Sequence, residues 1–226
     1  MTTISQNVSQ INQNILEASA FNNFPEKVTL VAVSKGHSFD KIIEAFDAGI
    51  INFGENYLQE ALNKKLHLEN FAIQWHFLGP IQSNKCKLIA ENFDWVHSVD
   101  RLKVMKLLND LRPSSATPLN ICIQINLDEE ETKSGINLSD LESFSDKLLS
   151  LENLRIRGLM ALPKQTNSIS KQKNGFSKLS NALNNLRSVF PQAKELSMGM
   201  SDDLVHAIAA GSTMIRVGSA LFGSRK

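Results

Sequence analysis

The chain has 226 residues, 42% of them hydrophobic and 21% charged, enough to bury a sizeable core as one α/β barrel or as two small domains. Its 24 basic and 23 acidic residues are spread along the sequence to a formal charge of +1, which leaves no electrostatic footprint for nucleic acid or an anionic membrane. The opening MTTISQNVSQINQNILEASA lacks the basic region and unbroken apolar stretch of a secretory signal, and no later run is long enough to span a bilayer, so a cytoplasmic protein is expected.

Val8, Ile11 and Ile15 form an amphipathic stripe, which predicts a helix ahead of the first strand that closes the bottom or side of the fold. From there, short β-rich apolar runs alternate with longer segments of helical period, the mark of βαβ units around a parallel sheet. Strands are predicted at 28–33, 50–53, 73–78, 95–99, 119–126, 155–160, 194–198 and 213–217. Eight such units predict a closed (β/α)8 TIM barrel with an extra N-terminal helix, a single domain over 1–226. Between the strands, Leu138, Leu141, Phe144 and Leu148 share one helix face, as do Phe176, Leu179, Leu183, Leu186 and Phe190. Ser38, Asp100 and Asn137 are expected to cap the helices after the first, fourth and fifth strands. The polar stretch KQTNSISKQKN, 164–174, reads as a mobile loop beside the barrel mouth. Cys86 and Cys122 stand far apart and the five histidines form no HxH or HxxxH pair, so free thiols and no metal site are expected.

In a parallel β/α barrel the reactive groups sit just after the strands. Lys35 follows VTLVAVS, one polar residue beyond the last strand valine, where desolvation would lower its pKa and supply the neutral amine needed for imine formation. A lysine there can equally snorkel to water. The loops after strands seven and eight, SMGMSDD and VGSALFG, carry small residues in the positions of barrel phosphate-binding loops. Gly218 and Ser219 would offer amides at the start of a short helical turn and Ser201 a hydroxyl. Otherwise Ser201 caps a helix over 202–210 and Gly218 relieves a tight turn. Arg216, on the last strand, faces the barrel interior if alternation holds, and so needs either a carboxylate or a ligand atom as acceptor.

With these residues in view, the chain resembles the YggS/PROSC family (PLPBP in animals), the homeostasis proteins for pyridoxal 5′-phosphate (PLP). The resemblance runs from Val28 to Gly223 through LVAVSK, FGENYLQE, WHFLGPIQSNK, KSG at Lys133, GLMALP, LSMGMSDD and AIAAGSTMIRVGSALFG. It implies the alanine racemase barrel, PLP fold type III, without the C-terminal β-domain. It also implies PLP as a Schiff base on Lys35, phosphate contacts from Ser201, Gly218 and Ser219, and Arg216 facing the pyridine nitrogen. Asn56 and His76 would line the ring side, with Met198 contributed by the SMGMS loop. Gly36–His37 replaces the family's usual Thr-Lys, and Ser219 its usual threonine.

The function so implied is PLP homeostasis by a non-catalytic carrier or regulator, a monomer whose partners are PLP and recipient apoenzymes. A racemase acting through the same lysine is the rival. Racemisation needs a second base across the ring. The only tyrosine, Tyr57, follows strand two and reads as a packing residue. A sugar-phosphate barrel with Lys35 as an aldolase-type lysine is a third reading.

Overall fold

The computed structural model describes residues 3–22, 27–127, 134–162 and 169–224. Its strands are β1 (Thr29–Val33), β2 (Asn52–Glu55), β3 (Gln74–Phe77), β4 (Trp95–Val99), β5 (Leu119–Ile125), β6 (Leu154–Ala161), β7 (Glu195–Ser197) and β8 (Met214–Val217). All pair in parallel, in sequence order, and β8 returns to β1 through Thr29–Met214 to Ala32–Val217, closing the barrel. The helices are α1 (Ile4–Phe21), α2 (Phe39–Asp47), α3 (Leu58–His67), α4 (Cys86–Asn92), α5 (Leu102–Asp110), α6 (Leu141–Asp146), α7 (Ile169–Val189), α8 (Leu204–Ala209) and α9 (Ser219–Phe222).

The core is the annulus between sheet and helices, where strand residues such as Phe53, Val96, Ile121, Ile123, Leu159 and Ile215 meet the helical faces. The face of Phe176, Leu179, Leu183, Leu186 and Phe190 is buried as the 3.6-residue period requires. A smaller cluster, Trp95, Cys122, Met160 and Met214, fills the barrel interior. Both cysteines are free and buried.

Helix α1 begins at a capping box, with Thr3 and Gln6 exchanging side-chain bonds to backbone N–H groups, and buries Val8, Ile11 and Ile15. It lies along the side of the barrel against α2, α8 and α9. Asn7 Nδ2 donates to the Leu221 carbonyl at 2.9 Å and Lys41 Nζ to the Phe222 carbonyl at 2.9 Å, so α1 and α2 both anchor the short turn after β8.

Three local expectations need correction. Ser38 and Asn137 occupy N-cap positions but make no capping bond through their side chains. Asp100 instead accepts from Arg101 Nε at 3.0 Å, and Arg101 holds the N-cap position of α5. In the polar stretch 164–174, residues from Ile169 onward are the first turns of α7, since a polar helix needs only one buried stripe; 164–168 lie outside the described residues, as does Lys133. No described helix is long and apolar enough to cross a membrane.

Candidate functional site

The C-terminal ends of β1, β2, β6, β7 and β8 open onto a cavity of about 530 Å³, within the range of small-ligand sites. Lys35 enters it one residue beyond the buried Ser34, Asn56 directly after β2, Ser201 from the loop after β7, and Gly218 and Ser219 from the end of β8. Arg216 forms part of its floor and is 5% exposed. A neighbouring cavity of about 290 Å³ shares Asn56, Leu78 and Leu162 and extends the space toward Gln124 and Asn126. A larger groove, about 730 Å³, lies on the outer wall between α6 and α7, away from the strand ends where barrel chemistry is placed.

Gly218 has φ −116°, which any residue can adopt, so the turn itself does not demand glycine. Space there is tight: a Cβ would stand 3.3 Å from the Val33 carbonyl oxygen, which would have to give by a few tenths of an ångström. Gly199, at φ +90°, is different, because its backbone favours glycine and a Cβ would meet Ala207 Cβ at 2.5 Å. The loop after it is held by Asp203 Oδ1, which accepts from the Met200 N–H at 2.5 Å.

Arg216 has no carboxylate within ion-pair distance among the described residues. Its Nη1 donates to Ser197 Oγ at 2.6 Å and its Nη2 to the Ala161 carbonyl at 3.0 Å. Burial lowers its pKa from 12.5 to about 10, with Asp203 pulling the other way. The guanidinium donates only, so Ser197 Oγ accepts from it and passes its own hydrogen to His97 Nδ1, 2.7 Å away. His97 Nε2 then donates to His76 Nδ1 at 2.9 Å, and His76 Nε2 to Asn52 Oδ1 at 3.0 Å. This ordering requires both rings to be neutral. Burial holds them so: it pushes His76 down to about 3, and lowers His97 well below the ordinary value with further repulsion from His76 and Arg216.

Of the residues expected at the site, Lys35, Asn56, Ser201, Arg216, Gly218 and Ser219 line one cavity. His76 and Met198 lie off it. His76 is fully buried, its ring turned toward the starts of β2 and β4, where Nε2 meets Asn52 and the ring stacks on Trp95 at 5.5 Å. Met198 is fully buried in the outer core and leaves only its carbonyl to Ser212 Oγ. His37, Met200 and Asp202 line the cavity without having been singled out, as do Leu78 and Met160. Ser197 and His97 were also missed, although His97 shares the inward parity of Trp95 two residues before it.

A family model described as alanine racemase, N-terminal domain, matches residues 6–226. A relative in Escherichia coli, 44% identical over 229 residues and covering 100% of this chain and 98% of its own length, is a pyridoxal phosphate homeostasis protein. The chain belongs to the pyridoxal phosphate homeostasis protein family. Another member, from Pseudomonas aeruginosa, is 46% identical over 226 residues, covering 100% of this chain and 97% of its own. Among solved structures, PipY of Synechococcus elongatus, with PLP bound, superposes with a TM-score of 0.86 at 33% identity, covering 98% of this chain and 100% of that one. Alanine racemase from Corynebacterium glutamicum shares the barrel, with a TM-score of 0.71 at 16% identity, over 98% of this chain and 60% of that one.

Proposed function

We propose that this member of the homeostasis protein family binds PLP as a Schiff base on Lys35. It acts in intracellular PLP (vitamin B6) homeostasis as a cytoplasmic, monomeric carrier or regulator without robust catalysis of its own, with PLP-dependent apoenzymes as recipients. The observation that carries the reading is the meeting, in one cavity, of a strand-end lysine, a buried arginine without a carboxylate partner among the described residues, and a tight glycine turn beside two serines.

The fit follows from the donor set. A buried guanidinium has five N–H groups; two donate to Ser197 and Ala161, no carboxylate pairs with it among the described residues, and an unprotonated pyridine nitrogen is a suitable further acceptor. Ser201, Gly218 and Ser219 would hold the phosphate, with α9 tied down by Asn7 and Lys41. Lys35 would hold PLP covalently, its Nζ joining the aldehyde carbon while its two amine hydrogens and the carbonyl oxygen would leave as water. Bound PLP supplies a conjugated ring that withdraws electrons from that carbon, and an arginine at its nitrogen makes it a weaker sink than a carboxylate would.

Racemisation needs a second base across the ring from Lys35. Tyr57 is 62% exposed at the start of α3 and does not line the cavity. The test is an absorbance titration with PLP and with pyridoxal, followed by chiral assay over a panel of amino acids. The proposal predicts a PLP band, far weaker pyridoxal binding and turnover absent or very slow. Racemisation at ordinary enzymatic rates, lost in Lys35→Ala, would establish the racemase reading instead.

A further inference from the structure

The block FGENYLQE contributes more than Asn56. Glu55, the last residue of β2, is fully buried, and Glu60 stands one helical turn before Lys64 on α3. Lys64 is 5% exposed. Its Nζ lies 2.7 Å from Glu55 Oε1, 2.6 Å from Glu60 Oε1 and 2.7 Å from the Ser34 carbonyl oxygen, so three ammonium hydrogens meet three acceptors. Ser34 Oγ donates to Glu55 Oε1 at 2.7 Å, and Glu60 Oε1 accepts the Gly36 N–H at 2.6 Å.

Ser34 O and Gly36 N belong to the two peptide units that flank Lys35. One is held directly by Lys64, the other by the carboxylate that Lys64 holds. Just beyond the second of them the chain turns sharply, since Gly36 has φ +74°. A barrel wall has no need of such a group: an apolar side chain would fill the space without desolvating an ammonium and two carboxylates. Glu55 Oε2 is moreover buried without a hydrogen-bond partner among the described residues. Burial of these charges is costly to the fold, and the backbone atoms the network touches, Ser34 O and Gly36 N, lie on either side of Lys35.

We propose that Lys64, seated between Glu55 and Glu60, is a positioning residue for Lys35. It pins the peptide units on both sides of Lys35 and so presents the lysine amine to the cavity. The inference rests on Lys35 being the PLP-bearing lysine. Fixing the backbone in advance removes conformational entropy that bond formation would otherwise have to overcome. It also explains the two acidic residues of the block, which the PLP contacts leave unused.

The test compares wild type, Lys64→Met, Lys64→Arg and Glu60→Ala as full-length apoproteins. Amide exchange at Gly36 is read by NMR and the rate of Schiff-base formation by absorbance after adding PLP. Far-ultraviolet circular dichroism shows whether the barrel is intact; Glu60→Ala, at a side chain 28% exposed, serves if Lys64→Met does not fold. In Lys64→Met and Glu60→Ala, Gly36 exchange should rise and bond formation should slow, each by about tenfold, the equivalent of one charge-assisted hydrogen bond. Lys64→Arg should restore most of both. Unchanged exchange, or faster exchange with an unchanged rate of bond formation, would overturn the proposal. A folded wild type that forms no bond with PLP would refute the proposed function, and Gly36 exchange, which involves no PLP, would still decide whether the clamp exists.

Discussion

Replacing Arg216 by methionine separates a residue kept for a ligand from one kept for the fold. In the apoprotein the guanidinium is buried, and the fall of its pKa from 12.5 to about 10 corresponds to about 3 kcal/mol against the charged form. Methionine removes that cost and fills the space with an apolar chain. Against this stands the loss of two donors, to Ser197 Oγ and the Ala161 carbonyl. Ser197 keeps its bond to His97, so one newly unsatisfied carbonyl at about 1–3 kcal/mol is the main penalty. The balance is near zero or slightly stabilising, and for a chain of this size each kcal/mol moves Tm by about 2–4 °C. Apo Arg216→Met should therefore melt within about 5 °C of the wild type or above it, while the rise in Tm on adding PLP shrinks markedly. The assay is thermal unfolding with and without saturating PLP. An apoprotein destabilised by more than about 8 °C, with an unchanged PLP increment, would mean that Arg216 serves the barrel and not the ligand.

Ser201→Ala should weaken PLP by roughly tenfold through the loss of one hydroxyl donor, and Gly218→Val by more, because its side chain would press on the Val33 carbonyl. Absorbance titration checks both, and indifference to both substitutions would move the phosphate elsewhere. The ring of His76 should stay neutral in the folded protein down to about pH 3, whereas in the unfolded chain it takes up a proton near 6.5. The unfolded state thus binds more protons across that window, so His76 alone lowers stability by about 2 kcal/mol on going from pH 6.5 to pH 5. His97 acts in the same direction, and Glu55, raised by burial, opposes it. A folded-state NMR titration of the His76 ring near pH 6.5 would contradict the neutral hydrogen-bond chain from Arg216. In light scattering at low micromolar concentration the protein should be monomeric; a stable dimer would count against that part of the proposal.

The barrel was legible because its evidence is local. Each strand is a short apolar run bounded by polar turns, and the eight predicted runs overlap the eight observed strands, with no end displaced by more than two residues. The places of Lys35, Asn56, Gly218 and Ser219 at the mouth were legible for the same reason, since lying one or two positions past a strand fixes the end of the barrel. Depth and partnership were not. His76 points inward as alternation requires, yet its ring turns toward Asn52 and Trp95 at the starts of β2 and β4 and does not line the cavity. Met198 follows the inward Ser197 and so faces the helices, a consequence of strand parity that its motif block alone does not express. The chain from Arg216 to Asn52 joins residues far apart in sequence, with His97 and Ser197 separated by 100 positions, and only closure of the barrel brings them together. The Lys64 clamp is partly local, as Glu60 and Lys64 are four residues apart, but its hold on Ser34 and Gly36 depends on how α3 docks on the barrel.

The central claim is that Lys35 carries PLP, and the most direct measurement is mass spectrometry of the peptides released after the PLP-loaded protein is reduced with borohydride. A pyridoxyl group on Lys35, absent from the Lys35→Ala protein while that protein remains folded, is the predicted result. The same group found reproducibly on Lys85 or Lys133, with Lys35 unmodified, would contradict it.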